Sequence, residues 1–235
     1  MSQAQWIEHA DFADLSQAVT SCLLQACGQG LDQHGQASLA LAGGGTPMPI
    51  YEQFAGCTLD WANIQVMATD ERWVTADHAA SNHQQLRKRF DHTGAKLLGL
   101  VPEQPGKQPG IEAAMHSLAQ IDGPFDACLL GMGGDGHFAS LFPGATVLHT
   151  ALDALAQQPA VTLLPDPLPA EAPFARVSLT LSRLLNSNTL LLVITGSGKR
   201  AVLERAMQAD ADPDELPIAA LLRAAGNRLQ IHWSP

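Results

Sequence analysis

The segment Gly131-Met132-Gly133-Gly134-Asp135-Gly136-His137 gathers the residue types that most readily do chemistry. Its four glycines make a close-packed backbone wall from which two polar side chains, Asp135 and His137, can project. A histidine titrates near neutrality and suits the removal of a proton from water. Asp135 could orient that histidine or a substrate hydroxyl, and backbone amides nearby could meet an oxyanion. The competing reading is a histidine that merely caps the following helix. No serine stands in a Gly-x-Ser-x-Gly elbow, which argues against covalent serine chemistry. His116, His137 and His149 show no metal-ligand spacing, so no metal is expected.

A second set of residues has the chemistry of an anion site. Gly43, Gly44, Gly45 and Thr46 follow an apolar run and precede Pro47. Such a turn lets amides approach an anion at a helix start, although it can equally be chosen for geometry alone. It lacks the lysine and spacing of a Walker loop and the Gly-x-Gly-x-x-Gly fingerprint, so a nucleotide is not expected. In Asp70-Glu71-Arg72 the guanidinium could grip a phosphate bidentately, with an acidic neighbour holding it, or form only a structural ion pair. Lys199 sits just inside a helix start, where the dipole disfavours a cation unless an anion binds there. Arg176 is a further cation, without a glycine-rich turn beside it.

Alternation and spacing indicate the elements that must position these groups. Phe12 to Gln33 reads as an amphipathic helix loosened at its end by Gly28 and Gly30. Strands are expected at 38–42, 63–69, 125–130, 189–195 and 229–233, with an edge strand at 176–180. Thr46 and Pro47 read as a cap and first turn of a helix through Phe54. Further helices are expected at 82–90, 111–121, from Gly196–Lys199 through Met207, and at 216–222. The stretch 95–110 reads as turns, and 145–173 as loops around a minor strand at 161–164. Strands alternating with helices define an α/β fold, a mostly parallel sheet covered on both faces, whose strand carboxyl ends form the binding crevice. The distinctive polar segments all fall at such ends.

Composition sets the surrounding limits. With 46% hydrophobic and 15% charged residues, the 235-residue chain has the apolar surface to fold, as one domain over 1–235. The net charge of −10, with no cationic run longer than the three residues Arg87–Arg89, argues against a nucleic-acid footprint, and an anionic substrate would need local cations. No targeting segment or membrane span is read, the longest strongly apolar run being Leu190 to Ile194. Cys22, Cys27, Cys57 and Cys128 are scattered and are expected to be free thiols of a reducing cytoplasm.

In order along the chain, Gly-Gly-Gly-Thr-Pro (43–47), Asp-Glu-Arg (70–72), Ser81-Asn82, Gly-Met-Gly-Gly-Asp-Gly-His (131–137), Ala-Ser-Leu-Phe-Pro-Gly (139–144), Arg-Val-Ser-Leu-Thr (176–180) and Gly196 to Lys199 resemble the 6-phosphogluconolactonase family. The resemblance spans nearly the whole chain. It implies a modified Rossmann-like sheet, shared with glucosamine-6-phosphate deaminases. It also implies hydrolysis of 6-phospho-D-glucono-1,5-lactone in the cytosolic oxidative pentose phosphate pathway. His137 would be the general base activating water and Asp135 its support. Arg72 and Lys199 would bind the phosphate, with the turn Gly43–Thr46, Asp70 and Arg176 in the same pocket. No cofactor is implied, and the partner is a small phosphorylated sugar lactone. The oligomeric state stays open, a monomer included. Two positions depart from the family pattern: Gly45 replaces a serine, and Phe138 stands where a threonine is common. The sister deaminases continue into Phe-Asn-Glu-Pro-Gly, whereas this chain reads Ser-Leu-Phe-Pro-Gly at 140–144 and lacks that glutamate.

Overall fold

Helix α1 (Phe12–His34) shows how local chemistry sets an element here. The Asp11 carboxylate accepts from the amides of Ala13 (2.8 Å) and Asp14 (3.0 Å), satisfying the free donors of the first turn. At the other end Gly35 adopts φ 70° and its amide donates to the Leu31 carbonyl at 2.9 Å. Gly28 and Gly30 do not loosen the helix, contrary to the sequence expectation. A Cβ on Gly30 would lie 2.7 Å from the Asp126 carboxyl carbon, so this glycine permits close packing.

A computed structural model describes residues 4–165 and 173–235. Its strands are β1 (Gln5–Glu8), β2 (Ala37–Leu41), β3 (Ile64–Ala68), β4 (Asp70–Arg72), β5 (Lys96–Leu98), β6 (Phe125–Leu130), β7 (Ala160–Leu163), β8 (Arg176–Leu179), β9 (Ser187–Thr195) and β10 (Leu229–Ser234). The remaining helices are α2 (Met48–Ala55), α3 (Asn82–Phe90), α4 (Glu112–Leu118), α5 (Leu148–Ala151), α6 (Leu181–Leu185), α7 (Ser197–Ala206) and α8 (Ile218–Ala225). Seven strands form a parallel sheet in the order β1-β10-β9-β6-β2-β3-β5. Every residue of β2 and β6 is buried, as it must be where successive side chains enter opposite covered faces. Helix α1 packs on β2, β6, β9 and β10, while α3 packs on β3 and β5, and α6 and α7 on β9. The expected α/β class with a mostly parallel sheet is thus the observed one.

The second sheet, β4-β8-β7, is antiparallel and differs from the sequence expectation, which does not group these segments. Asp70–Arg72 is a strand rather than a strand-end turn, and β8 is the centre of its sheet rather than an edge. Thr69 explains the change. Its amide donates to the Leu41 carbonyl of the parallel sheet (3.1 Å), and its carbonyl accepts from Leu179 of the second sheet (2.9 Å). One residue therefore passes the chain from one sheet to the other. Apolar residues of both sheets belong to one continuous core. Short or polar elements escaped the periodicity: β1, β5, α5 and α6. Thr46 does not cap α2, whose N-cap position is Pro47 with no side-chain hydrogen bond. The loop expectation over 166–172 lies outside the described residues.

Candidate active site

The carboxyl ends of β2, β3, β6 and β9 meet at a cleft of about 250 Å³. Gly43, Gly44, Gly45 and Thr46 form one wall after β2, and Asp70 and Arg72 enter from β4. Gly131, Gly133 and His137 arrive after β6, and Lys199 from the first turn of α7. Eight of the ten sequence-derived candidates therefore face one space: Gly43, Gly44, Gly45, Thr46, Asp70, Arg72, His137 and Lys199. Asp135 supports His137 from beside the cleft. Arg176 is only 2% exposed and is not part of the lining; it lies opposite Arg72 in the β4–β8 ladder.

His137 Nδ1 lies 2.6 Å from Asp135 Oδ1, and the same oxygen accepts from the His137 amide at 3.1 Å. The Gly133 amide donates to the His137 carbonyl (2.9 Å) and the Gly136 amide to that of Gly133 (3.1 Å), closing a compact loop. Gly133 is required for it, since a Cβ there would lie 2.2 Å from the imidazole. His137 is therefore fixed by its own loop rather than spent as a helix cap. Burial raises the Asp135 carboxyl pKa, but the hydrogen bonds and charge of His137 outweigh burial and hold it below the usual value. The Phe142 ring packs against the imidazole, with centroids 4.2 Å apart and planes inclined at 34°.

Arg72 is oriented by neighbours the sequence did not assign. Its Nη1 donates to the Ala80 carbonyl (2.9 Å) and to Asn82 Oδ1 (2.5 Å). Asn82 in turn donates from Nδ2 to the Asp70 carbonyl at 2.8 Å. A Cβ on Gly43 would lie 2.1 Å from Asn82 Oδ1, so the first glycine of the turn is fixed by this close approach. The Glu71 carboxylate is buried and accepts from the amides of Arg72 (2.7 Å), Asn82 (2.8 Å) and His83 (2.6 Å) and from the Ser81 hydroxyl (2.9 Å). Burial pushes its pKa up, and these four bonds only partly offset that. Asn82 belongs to the quoted Ser81-Asn82 pair, but its role has no sign in the sequence, because its partners Asp70 and Arg72 are brought to it by β4. Met132, Ala139 and Val193 also line the cleft and carry no sequence signal of their own.

The electrostatics favour an anion. Arg72 and Lys199 line the cleft, and burial lowers the Lys199 pKa from its ordinary value. Burial and the nearby Arg72 charge bring Arg176 down to about 10, against the opposing pull of Asp70 and Glu71, so it stays charged at neutral pH. The N-termini of α2 and α7 adjoin the same space and add positive dipole ends. Among the described residues no cluster of three or more His, Cys, Asp or Glu is placed to hold a metal.

Fold and site together define an α/β sugar-phosphate enzyme class: the chain belongs to the family described as glucosamine-6-phosphate isomerases/6-phosphogluconolactonase, whose model matches residues 10–233. Within it, the similar curated proteins are named 6-phosphogluconolactonase. The Rhizobium meliloti protein is 38% identical over 204 residues, covering 86% of each chain. The Caulobacter vibrioides protein is 35% identical over 224 residues, covering 94% of this chain and 93% of its own. The crystal structure of a 6-phosphogluconolactonase from Shewanella baltica superposes with a TM-score of 0.90 at 31% identity, covering 99% of this chain and 98% of that one.

Proposed function

We propose that this chain hydrolyses 6-phospho-D-glucono-1,5-lactone to 6-phospho-D-gluconate, with His137 as general base. The observation that carries the reading is the 2.6 Å contact between His137 Nδ1 and Asp135 Oδ1 at the rim of a cation-lined cleft. An ionised Asp135 holds the imidazole proton on Nδ1 and leaves the Nε2 lone pair for water. Water oxygen attacks the lactone carbonyl carbon as its proton passes to Nε2. The tetrahedral oxyanion is met by backbone amides of the glycine-rich walls. Its collapse breaks the bond from that carbon to the ring oxygen, and the imidazolium returns its proton to the departing oxygen. Each step uses water and the side chains named.

Arg72, Lys199 and the Gly43–Thr46 turn hold the phosphate in this reading. Arg72 Nε is a buried donor with no hydrogen-bond partner among the described residues, which suits an incoming oxygen. Anchoring a remote phosphate lends binding energy to orienting the ring over the base. The segment Ser140–Gly144 offers no glutamate for ring-opening isomerase chemistry. The reading is tested by acid release from freshly prepared lactone, corrected for spontaneous hydrolysis. Saturable turnover above background is expected, and a rate equal to background would refute it.

A further inference from the structure

Ala139 is the one described non-glycine residue with positive φ, at 48°, and it lines the cleft two residues beyond His137. L-residues avoid this left-handed conformation, and it persists only where the surroundings enforce it. The enforcement comes from Ser140, which is 1% exposed. Its hydroxyl donates to Asp70 Oδ2 at 2.5 Å, and its amide donates to Ser178 Oγ at 3.2 Å. Asp70 and Ser178 face each other in the β4–β8 ladder. The Leu141 amide closes the turn onto the Phe138 carbonyl at 3.0 Å, with the Phe138 ring fully buried. The second sheet thus grips the chain immediately after His137, at the strand that also carries Arg72. Asp70 is occupied on both oxygens, Oδ1 accepting from Thr69 Oγ1 at 3.2 Å.

From this geometry we infer that Ser140 and Asp70 are positioning residues, which hold the strained Ala139 turn so that His137 keeps its register against a phosphate anchored at Arg72. The inference rests on the lactonase reading for its kinetics, and it gives Asp70, which the resemblance places only in the phosphate pocket, the role of tether of the base. A carboxylate in a phosphate pocket would repel its ligand; a carboxylate engaged by Ser140 has a structural use there.

The test compares the whole chain with Ser140→Ala, Ala139→Gly, their combination, and Asp70→Asn. Ser140→Ala is expected to lower kcat about ten-fold or more with KM changed less than about two-fold, because the base is displaced and the phosphate anchor is not. Ala139→Gly, which takes the left-handed turn without strain, is expected to recover most of that loss in the combined variant. Asp70→Asn keeps an acceptor for Ser140 and is expected to stay within about five-fold of the parent. The His137 imidazole signals in NMR should shift on Ser140→Ala and return in the combined variant. Unchanged kcat and unchanged His137 signals in Ser140→Ala would overturn the inference, as would a loss in Asp70→Asn as deep as in His137→Ala. Absence of turnover in the parent chain would instead refute the lactonase reading, and the NMR comparison would still decide the tether.

Discussion

At the scale of the residue, the proposed mechanism rests on the contact between Asp135 and His137, which in that reading keeps the imidazole proton on Nδ1 and leaves Nε2 as the base. Neighbours two apart in sequence need not meet, and here they do because Gly133 leaves room and Gly136 turns the chain at φ 80°. Asp135→Asn keeps the shape and loses the charge, so kcat is expected to fall about 100-fold or more with little change in KM. Steady-state kinetics on the folded variant check this, and a kcat close to the parent's would remove Asp135 from the mechanism. Arg72 belongs to the other pole. Arg72→Ala is expected to raise KM about ten-fold or more and to abolish the preference for phosphorylated over unphosphorylated lactone. Retained discrimination would contradict its phosphate role.

At the scale of the element, the sheet ends decide which side chains converge, and glycines decide how closely. Gly43→Ala would drive a Cβ into Asn82, which holds Arg72. Its expected result resembles Arg72→Ala in KM, with most of the thermal stability retained. By contrast Asp11→Ala removes only the α1 cap and is expected to cost about 1 kcal/mol in urea unfolding with kcat and KM unchanged. Equal effects of both changes on KM would undo the distinction. These elements also show what the sequence made legible. Strand β6 is an apolar run broken only by Asp126 and closed by glycine, and α3 follows a serine cap, so the expected spans 125–130 and 82–90 match the observed ones. The second sheet was hidden because β4 is three residues of charged sequence whose pairing depends on a strand about a hundred residues away. For the same reason the residues facing the cleft were mostly recognised by type, while Asn82, Ser140 and Ala139, whose roles come from tertiary partners, were not.

At the scale of the whole molecule, a chain of net charge −10 is expected to bind a phosphate dianion through a local cluster of cations. KM should therefore rise with ionic strength between low salt and a few tenths molar, while kcat changes little. Salt-independent KM would argue against charge as the main anchor. Global stability should also depend on pH through His232 of β10, which is 2% exposed. Burial, reinforced by the charge of His9, lowers its pKa to about 4. The unfolded chain then binds the extra proton first. His232 therefore contributes fully above the ordinary histidine range, and up to about 3 kcal/mol is lost as pH falls from about 6.5 to 4. Urea unfolding at several pH values checks the slope, which His232→Gln should flatten; an unaltered slope would assign it to other groups. The central claim is that His137 is the base of a lactone hydrolase, and one measurement bears on it most directly. Background-corrected hydrolysis of fresh 6-phosphogluconolactone is compared between the parent chain and a folded His137→Ala variant. The expected result is saturable turnover by the parent and a fall of about 100-fold or more in kcat for the variant. Comparable turnover by both proteins would contradict it.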